Sequence, residues 1–101
     1  MNKTDEKLFQ ILRLIQKKPN TTQRKLASEL NLSLGKINYC IKELKKKGLV
    51  KLKRFKNKSN KLENIRYILT PSGISERTKL TINFMKIKMK EYDELKKELK
   101  S

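Results

Sequence analysis

Two short amphipathic segments separated by a three-residue break constrain this chain more than any other feature of its sequence. Apolar residues recur at helical spacing over about residues 23–30 and again over about 34–47. The break itself reads Asn31-Leu32-Ser33. Asparagine tolerates the left-handed conformation that ends a helix, and serine is a favourable N-cap for the helix that follows. The sequence therefore predicts two helices that cross at a tight turn, the first capped by Thr21 or Thr22.

Residue spacing across the break supports this interpretation. Two helices that cross at a short turn must bury large side chains on their facing sides and need a small residue where they approach most closely. All six positions hold a suitable residue: Leu26, Ala27, Leu30, Leu32, Ile37 and Cys40. A helix-turn-helix is the motif that this spacing predicts.

The flanking segments add one helix before this pair, and a hairpin and a long helix after it. Apolar spacing predicts the first helix over about 4–18. After Gly48 the period changes to alternation, which predicts strands over 49–55 and 65–69 around a polar loop. Over 71–100 a proline suits the first helical turn, and no later residue breaks the helix. A helix of that length spans roughly 43 Å.

This order of elements is typical of a winged helix-turn-helix. The predicted fold class is mainly α with a small β-hairpin, extended by a long C-terminal helix. We expect two units: a winged helix-turn-helix over residues 1–70, and a dimerisation helix over residues 71–101.

The charge of the chain points to a polyanion. The 27 Lys and Arg residues against 10 Asp and Glu residues give a formal net charge of +17, which is typical of proteins that bind nucleic acid. A compositional bias toward Lys would give the same net charge. The position of the charges along the chain is therefore stronger evidence for a polyanion than their sum. Ten of the seventeen units fall on residues 33–47 and 51–66, the predicted third helix and the hairpin.

Several classes of protein are excluded by what the sequence lacks. With no His and one Cys, we expect no ordinary zinc site, no disulfide framework and no Cys–His nucleophile pair. The predicted place of Cys40 between the crossing helices favours a packing role over a redox switch. Its three glycines lie too far apart to form a phosphate-binding loop. We therefore expect neither catalysis nor a cofactor.

The location of the protein follows from similar reasoning. The sequence has no apolar run long enough to span a membrane, and the first ten residues lack the apolar stretch of a signal peptide. A cytoplasmic protein associated with the nucleoid, without a membrane partner, is the expectation.

The third helix carries the candidate base-reading residues, since the N-terminal part of a recognition helix contacts base edges in the major groove. Asn38 is expected to pair with adenine, and Lys36 and Lys42 with guanine or phosphate. We expect Tyr39 to touch a thymine methyl group or a phosphate. Gly35 would let the helix approach the DNA backbone closely. The alternative is an ordinary solvated helix face.

The predicted wing and the start of the second helix complete the candidate surface. Residues 51–66 form the densest basic stretch, which either contacts a phosphate strand or minor groove or merely keeps the hairpin from aggregating. Hydroxyl, amide and N–H donors at the start of the second helix suit phosphate. The candidate DNA-binding residues are Thr22, Gln23, Arg24, Ser33, Gly35, Lys36, Asn38, Tyr39, Lys42, Arg54, Lys56, Lys58 and Lys61.

The last helix carries a candidate dimer interface. Apolar residues form a stripe at spacings of three and four, as in a coiled coil: Ile82, Met85, Met89, Tyr92, Leu95 and Leu99. A parallel or antiparallel pair with a second copy would bury this stripe, and the alternative is a helix that folds back onto its own domain. Two-fold symmetry would present two recognition helices to successive major grooves of a pseudo-palindromic site.

Four stretches of the sequence resemble a known family. Residues 22–27 (TQRKLA), 32–40 (LSLGKINYC), 48–51 (GLVK) and 69–74 (LTPSGI) are similar to small winged-helix regulators of the MarR type, in particular the exopolysaccharide-associated group. The resemblance covers about residues 5–99. It implies a dimeric, DNA-binding transcriptional regulator, and it leaves a small-molecule effector unassigned, because this chain has one C-terminal helix instead of two.

Two functional hypotheses follow. The first is a homodimeric regulator that binds double-stranded DNA in a sequence-specific manner, with the recognition helix in the major groove and the wing on the backbone or minor groove. The second is a chromosome-organising protein of the same fold with little sequence preference. A winged helix that binds RNA or another protein is a further alternative.

Overall fold

The computed structural model describes residues 3–54 and 65–100, and the elements follow the order that the sequence predicts. They are the helices α1 (Lys3–Lys17), α2 (Gln23–Leu30), α3 (Leu34–Lys46) and α4 (Pro71–Lys100) and the strands β1 (Val50–Arg54) and β2 (Ile65–Leu69). The predicted fold class, mainly α with a β-hairpin and a long last helix, is confirmed. Strand β1 begins at Val50, one residue later than predicted, because the amide of Leu49 still belongs to the end of α3. Phe55 lies outside the described residues.

Helices α2 and α3 end in the same way. Asn31 (φ 54°) and Gly48 (φ 73°) both adopt the left-handed conformation. The amide of the next residue then donates to a carbonyl oxygen five residues earlier, at 3.0 Å after Asn31 and 2.9 Å after Gly48. This pattern satisfies carbonyl groups that the helix leaves unpaired, and it reverses the chain within few residues. The tight turn between α2 and α3 is therefore a property of the local sequence.

Three hydroxyl groups cap the helices that follow the turns. The side chains of Thr22, Ser33 and Thr70 each accept a hydrogen bond from the backbone N–H three residues later, at 3.2, 3.1 and 3.0 Å. Of the two threonines proposed for α2, Thr22 is therefore the cap. Thr21 instead forms an isolated antiparallel bridge with Tyr67 of β2.

The wing is a two-stranded antiparallel sheet with an additional contact on one edge. Val50 pairs with Leu69, and Leu52 pairs with Tyr67. On the other side of β2, the N–H of Tyr67 donates to the carbonyl oxygen of Thr21 at 3.0 Å, and the N–H of Asn20 donates to the carbonyl oxygen of Tyr67 at 3.1 Å. These bonds tie the wing to the segment between α1 and α2, so the hairpin has a fixed orientation on the domain.

The core lies between α1, α2, α3 and the wing. Its largest fully buried side chains are Ile11, Leu12, Ile15, Leu26, Ile37, Ile41 and Leu44. Val50 and Tyr67 close this core from the wing, with 4% and 3% of their surface exposed. Burial of these apolar side chains is the main stabilising term for a domain of this size.

Helix α4 attaches to the domain with its first half only. Gly73 is buried at its start, Leu80 packs against the core, and the ring of Phe84 lies 5.7 Å from that of Phe9 in α1. Every residue from Met85 to Lys100 is exposed. The helix accounts for the elongated shape, with extents of 64 × 26 × 20 Å, because its 30 residues extend about 45 Å.

Candidate nucleic-acid interface

Helix α3 presents one face to the core and the opposite face to solvent. Ile37, Cys40, Ile41 and Leu44 are the buried residues. The sequence candidates lie on the other side: Ser33, Gly35, Lys36, Tyr39 and Lys42 are exposed, and Asn38 is half-buried. Tyr39 keeps 62% of its surface exposed, although it is a large aromatic residue. The exposed face therefore combines cationic, amide and aromatic groups, which are the chemical types that contact bases and phosphates in a major groove.

The candidate DNA-binding residues at the start of α2 differ in their exposure to solvent. Thr22 is buried, and its hydroxyl oxygen accepts the capping bond from the N–H of Lys25. Arg24 is exposed in the first turn. A helix N-terminus with an exposed guanidinium beside it favours a phosphate, because the helix dipole and the cation attract the same anion.

Gln23 connects α2 to two other elements. Its Nε2 donates a hydrogen bond to Oη of Tyr67 in β2, at 2.9 Å, and a second one to Oδ1 of Asn38 in α3, at 3.3 Å. Burial raises the pKa of the Tyr67 phenol, and the hydrogen bond from Gln23 lowers it by a smaller amount. The phenol is therefore neutral at physiological pH. These bonds hold the two amide side chains in one arrangement beside the exposed face of α3.

An open concavity of about 420 Å³ lies at this junction. Its walls come from the first turn of α2, the first turns of α3 and the start of β2: Gln23, Leu34, Gly35, Asn38 and Ile65. A Cβ atom built on Gly35 meets no heavy atom within 4 Å. The internal packing of the protein therefore does not require a glycine here, and the space beside it is open to a ligand.

Among the described residues, the wing contributes one candidate DNA-binding residue. Arg54, the last residue of β1, is exposed, and it pairs across the hairpin with Ile65, which lines the concavity. This register places the end of the wing beside the N-terminal end of α3. The other three wing candidates, Lys56, Lys58 and Lys61, lie outside the described residues.

Lys7 of α1 was not a sequence candidate, but it lies beside the recognition helix. The neighbouring side chain of Lys36 is the main cause of a lowered pKa at Lys7, followed by desolvation and charge repulsion. Two neighbouring ammonium groups repel each other, and a nearby anion would relieve that repulsion. No local signal reveals the pair, because only the packing of α1 against α3 brings the two residues together.

The single cysteine lies at the inner edge of the same region. Cys40 is 4% exposed, and burial raises the pKa of its thiol, an effect that the neighbouring Lys36 and Lys7 partly oppose. A thiol with a raised pKa is a poor nucleophile at neutral pH. Its place in the core agrees with the packing role expected from the sequence.

The candidate dimer residues all lie on the outside of α4. Their exposed fractions range from 49% at Ile82 to 88% at Leu99. The stripe of residues Ile82, Met85, Met89, Tyr92, Leu95 and Leu99 is therefore unpaired in the single chain. Among the described helices, none combines the length and the apolar character needed to cross a membrane.

A family model described as winged helix-turn-helix DNA-binding matches residues 4–51. The match runs from α1 through the helix-turn-helix to the beginning of β1, and it covers just under half of the chain. Curated proteins gave no match to this sequence.

Solved structures extend the similarity over most of the chain. Streptococcus pneumoniae FabT in complex with DNA matches with a TM-score of 0.65 and 21% identity, over 85% of this chain and 57% of that one. The PcaV transcriptional regulator from Streptomyces coelicolor matches with a TM-score of 0.73 and 17% identity, over 81% and 58%. Staphylococcus aureus MarR in complex with salicylate and kanamycin matches with a TM-score of 0.67 and 20% identity, over 81% and 53%.

These matches confirm the predicted resemblance to MarR-type proteins at the level of the fold. The protein has the winged helix-turn-helix fold that these proteins share. It spans a little over half of the length of each.

Proposed function

We propose that this winged helix-turn-helix protein is a homodimeric transcriptional regulator that binds double-stranded DNA in a sequence-specific manner. Helix α3 would lie in the major groove, and the wing would contact the backbone or the minor groove. The proposal includes no catalytic step and no cofactor, and it places the protein on the chromosome. It leaves a small-molecule effector unassigned.

One observation carries this proposal: the start of α2, the start of α3 and the start of β2 meet at a single open concavity. The recognition helix and the wing therefore face the same side of the domain. A duplex placed against the exposed face of α3 would also meet the wing and the N-terminus of α2. Contacts to phosphates from two flanking elements fix the register in which a recognition helix reads bases.

The distribution of charge supports the same surface. Lys36, Lys42 and Arg54 are exposed there, and the ion pairs Lys18–Glu29 and Lys88–Glu91 lie elsewhere on the molecule. Exposed cations attract a phosphate backbone strongly, since binding releases condensed counterions.

The exposed stripe of α4 supports the homodimer. A soluble chain rarely leaves a continuous row of large apolar side chains in water, and a second copy would cover it with an identical row. The protruding half of α4 has room for such a partner, because residues Met85 to Lys100 are exposed in the described part of the chain. A two-fold axis would then direct the protein to a pseudo-palindromic site.

Binding-site selection from genomic DNA with the purified protein tests the proposal. The affinity for the selected duplex is then compared with that for random duplex over a range of salt concentrations. We expect a ratio of about 10³ or more and a steep decrease in affinity with salt. A ratio near one would instead assign the protein to the chromosome-organising class, which the high net charge and the lysine-rich wing also suit.

Three variants separate base reading from backbone contact. Asn38→Ala and Tyr39→Ala are expected to relax sequence preference, whereas Lys58→Ala is expected to weaken binding to all sequences. Lys97→Ala removes the same charge from the far end of α4 and serves as the matched control, with affinity near that of the wild type. Unchanged preference in Asn38→Ala would show that α3 reads bases through other residues.

A further inference from the structure

Three polar side chains, one each from α2, α3 and β2, form one hydrogen-bonded unit at the edge of the exposed face of α3. Gln23 donates to Tyr67 at 2.9 Å and to Asn38 at 3.3 Å. Tyr67 is the fixed point, because it is 3% exposed and its backbone is bonded to Asn20 and Thr21. Gln23 and Asn38 are only half-buried and line the open concavity.

This unit determines which polar atoms remain available to a ligand. In this arrangement both protons of the Gln23 amide are engaged, and its Oε1 has no partner within the described part of the chain. The Oδ1 of Asn38 accepts one of these bonds, so its Nδ2 is directed away from Gln23. The concavity therefore offers an amide donor beside a carbonyl acceptor.

A donor beside an acceptor matches adenine and not guanine. In the major groove, adenine presents N7 as an acceptor and its N6 amino group as a donor, whereas guanine presents two acceptors, N7 and O6. With guanine, the Oε1 of Gln23 would face another acceptor. The bond to Tyr67 holds the Gln23 amide in place, and the bond between the two amides keeps one donor beside one acceptor.

The apolar walls of the concavity favour thymine, the base that pairs with adenine. Leu34, which is 41% exposed, and Ile65 of β2 line the remaining sides, and Gly35 places no side chain between them. Thymine differs from cytosine in the major groove by a C5-methyl group and an acceptor in place of an amino group. An apolar wall suits the methyl group and leaves the cytosine amino group unpaired.

We propose that the concavity of Gln23, Asn38, Leu34 and Ile65 reads an A·T base pair in each half-site, with Tyr67 as the positioning residue that fixes the two amides. This inference rests on the proposed function, and it assigns a sequence preference to one defined part of the surface. Tyr67 does not touch the DNA. It acts through Gln23.

Base analogues in the selected duplex test the proposal directly. In each half-site, replacing one adenine with 7-deazaadenine, which lacks N7, is expected to weaken binding about tenfold. Replacing its paired thymine with uracil, which lacks the methyl group, should weaken it by a smaller factor. Replacing the pair with G·C should give the largest loss.

Two variants should remove this discrimination. Tyr67→Phe keeps the buried ring and loses the hydroxyl group, and Gln23→Met keeps the length of the side chain and loses the amide. In both variants the penalty for G·C at that pair should decrease severalfold, and Tyr67→Phe, which removes no group that touches the DNA, should leave binding to random duplex the same. Far-ultraviolet circular dichroism and thermal unfolding establish that each variant is folded, and either variant alone suffices for the test.

Lys42→Gln, on the exposed face of α3, is the control for these two variants. It should weaken binding to all duplexes and leave the G·C penalty intact. A G·C penalty that is unchanged in either folded variant, Tyr67→Phe or Gln23→Met, would overturn the inference while the proposed function stands. A wild-type protein that binds selected and random duplex equally would overturn both.

Discussion

Gly35 and Gly73 are both helical glycines, but their surroundings give them opposite roles. A Cβ on Gly73 would overlap the backbone carbonyl of Leu49, whereas a Cβ on Gly35 would meet nothing within 4 Å. Gly73 therefore serves the packing of α4 onto the domain. The packing of the protein does not require a glycine at Gly35. Its position on the exposed face of α3 is therefore informative about contact with a binding partner.

Replacing Gly73 with alanine is expected to destabilise the protein severely. The clash involves the backbone of Leu49, which also accepts a hydrogen bond from the N–H of Thr70, so no flexible side chain relieves it. Urea unfolding should show a loss of about 3 kcal/mol or more. Ser75→Ala, at an exposed position of the same helix, is the control and should change stability by less than about 0.5 kcal/mol. An unchanged unfolding midpoint in Gly73→Ala would contradict the packing role.

Replacing Gly35 with alanine is expected to have opposite effects on stability and binding. Alanine is the better helix former, so the free energy of unfolding should rise by about 0.5–1 kcal/mol. The affinity for the selected duplex should nevertheless decrease, because the added methyl group occupies space at the surface that we propose approaches DNA. Parallel urea titrations and binding measurements check both parts. If affinity is retained, DNA does not approach α3 closely at this residue.

At the scale of elements, Thr70 joins the end of α3 to the start of α4. Its hydroxyl group donates to the carbonyl oxygen of Gly48 at 2.7 Å and accepts from the N–H of Gly73 at 3.0 Å. The cap has a local signal in the sequence, because Thr70 stands directly before Pro71. The bond to Gly48 joins residues 22 positions apart, and only the folded arrangement reveals it.

The Thr70→Val variant tests this junction. Valine keeps the shape of threonine but removes a cap and a buried hydrogen bond, so we expect a loss of about 1–2 kcal/mol in thermal or urea unfolding. Thr78→Val is the matched control, since the Thr78 hydroxyl is exposed and bonds only to the carbonyl oxygen of Ile74 within the same helix. Equal effects of the two substitutions would argue against a special role for Thr70.

The limits of the helices were predictable from the sequence to within about one residue, and the geometry of the candidate DNA-binding surface only in part. Thr22, Asn31, Ser33 and Gly48 act within five residues of their own position, so the sequence around each one contains the whole signal. The placement of Lys7 beside Lys36 depends on how α1 packs against α3. Such a contact has no local signature.

At the scale of the whole molecule, α4 is both a part of the domain and a projection from it. Phe84 contacts Phe9, and the Lys88 ammonium lies 5.3 Å from the centre of the Phe84 ring. Beyond this anchor the helix continues into solvent with its apolar stripe uncovered. The distance between the two DNA-reading surfaces of a dimer would therefore depend on how two such helices pair.

A charge-matched pair of substitutions tests the dimer. Met89→Glu places a carboxylate in the stripe, and Lys90→Gln, at the next residue, lowers the net charge by the same one unit off the stripe. Sedimentation equilibrium should show a dimer for the wild type and for Lys90→Gln, and a dissociation constant at least about tenfold higher for Met89→Glu. A wild-type protein that is monomeric at micromolar concentration would remove the dimer from the proposed function.

The sequence by itself determined the order, type and approximate limits of the elements, the tight turn between α2 and α3, and the clustering of positive charge on α3 and the wing. Periodicity, capping and turn conformation are interactions between near neighbours, so they are encoded locally. Tertiary structure alone decided that Tyr67 would hold Gln23, 44 residues away, that Gly73 would lie under Leu49, and that three elements would share one concavity. Those relations depend on how the faces of the helices and the wing pack around a common core, and packing acts between residues that are distant in the chain.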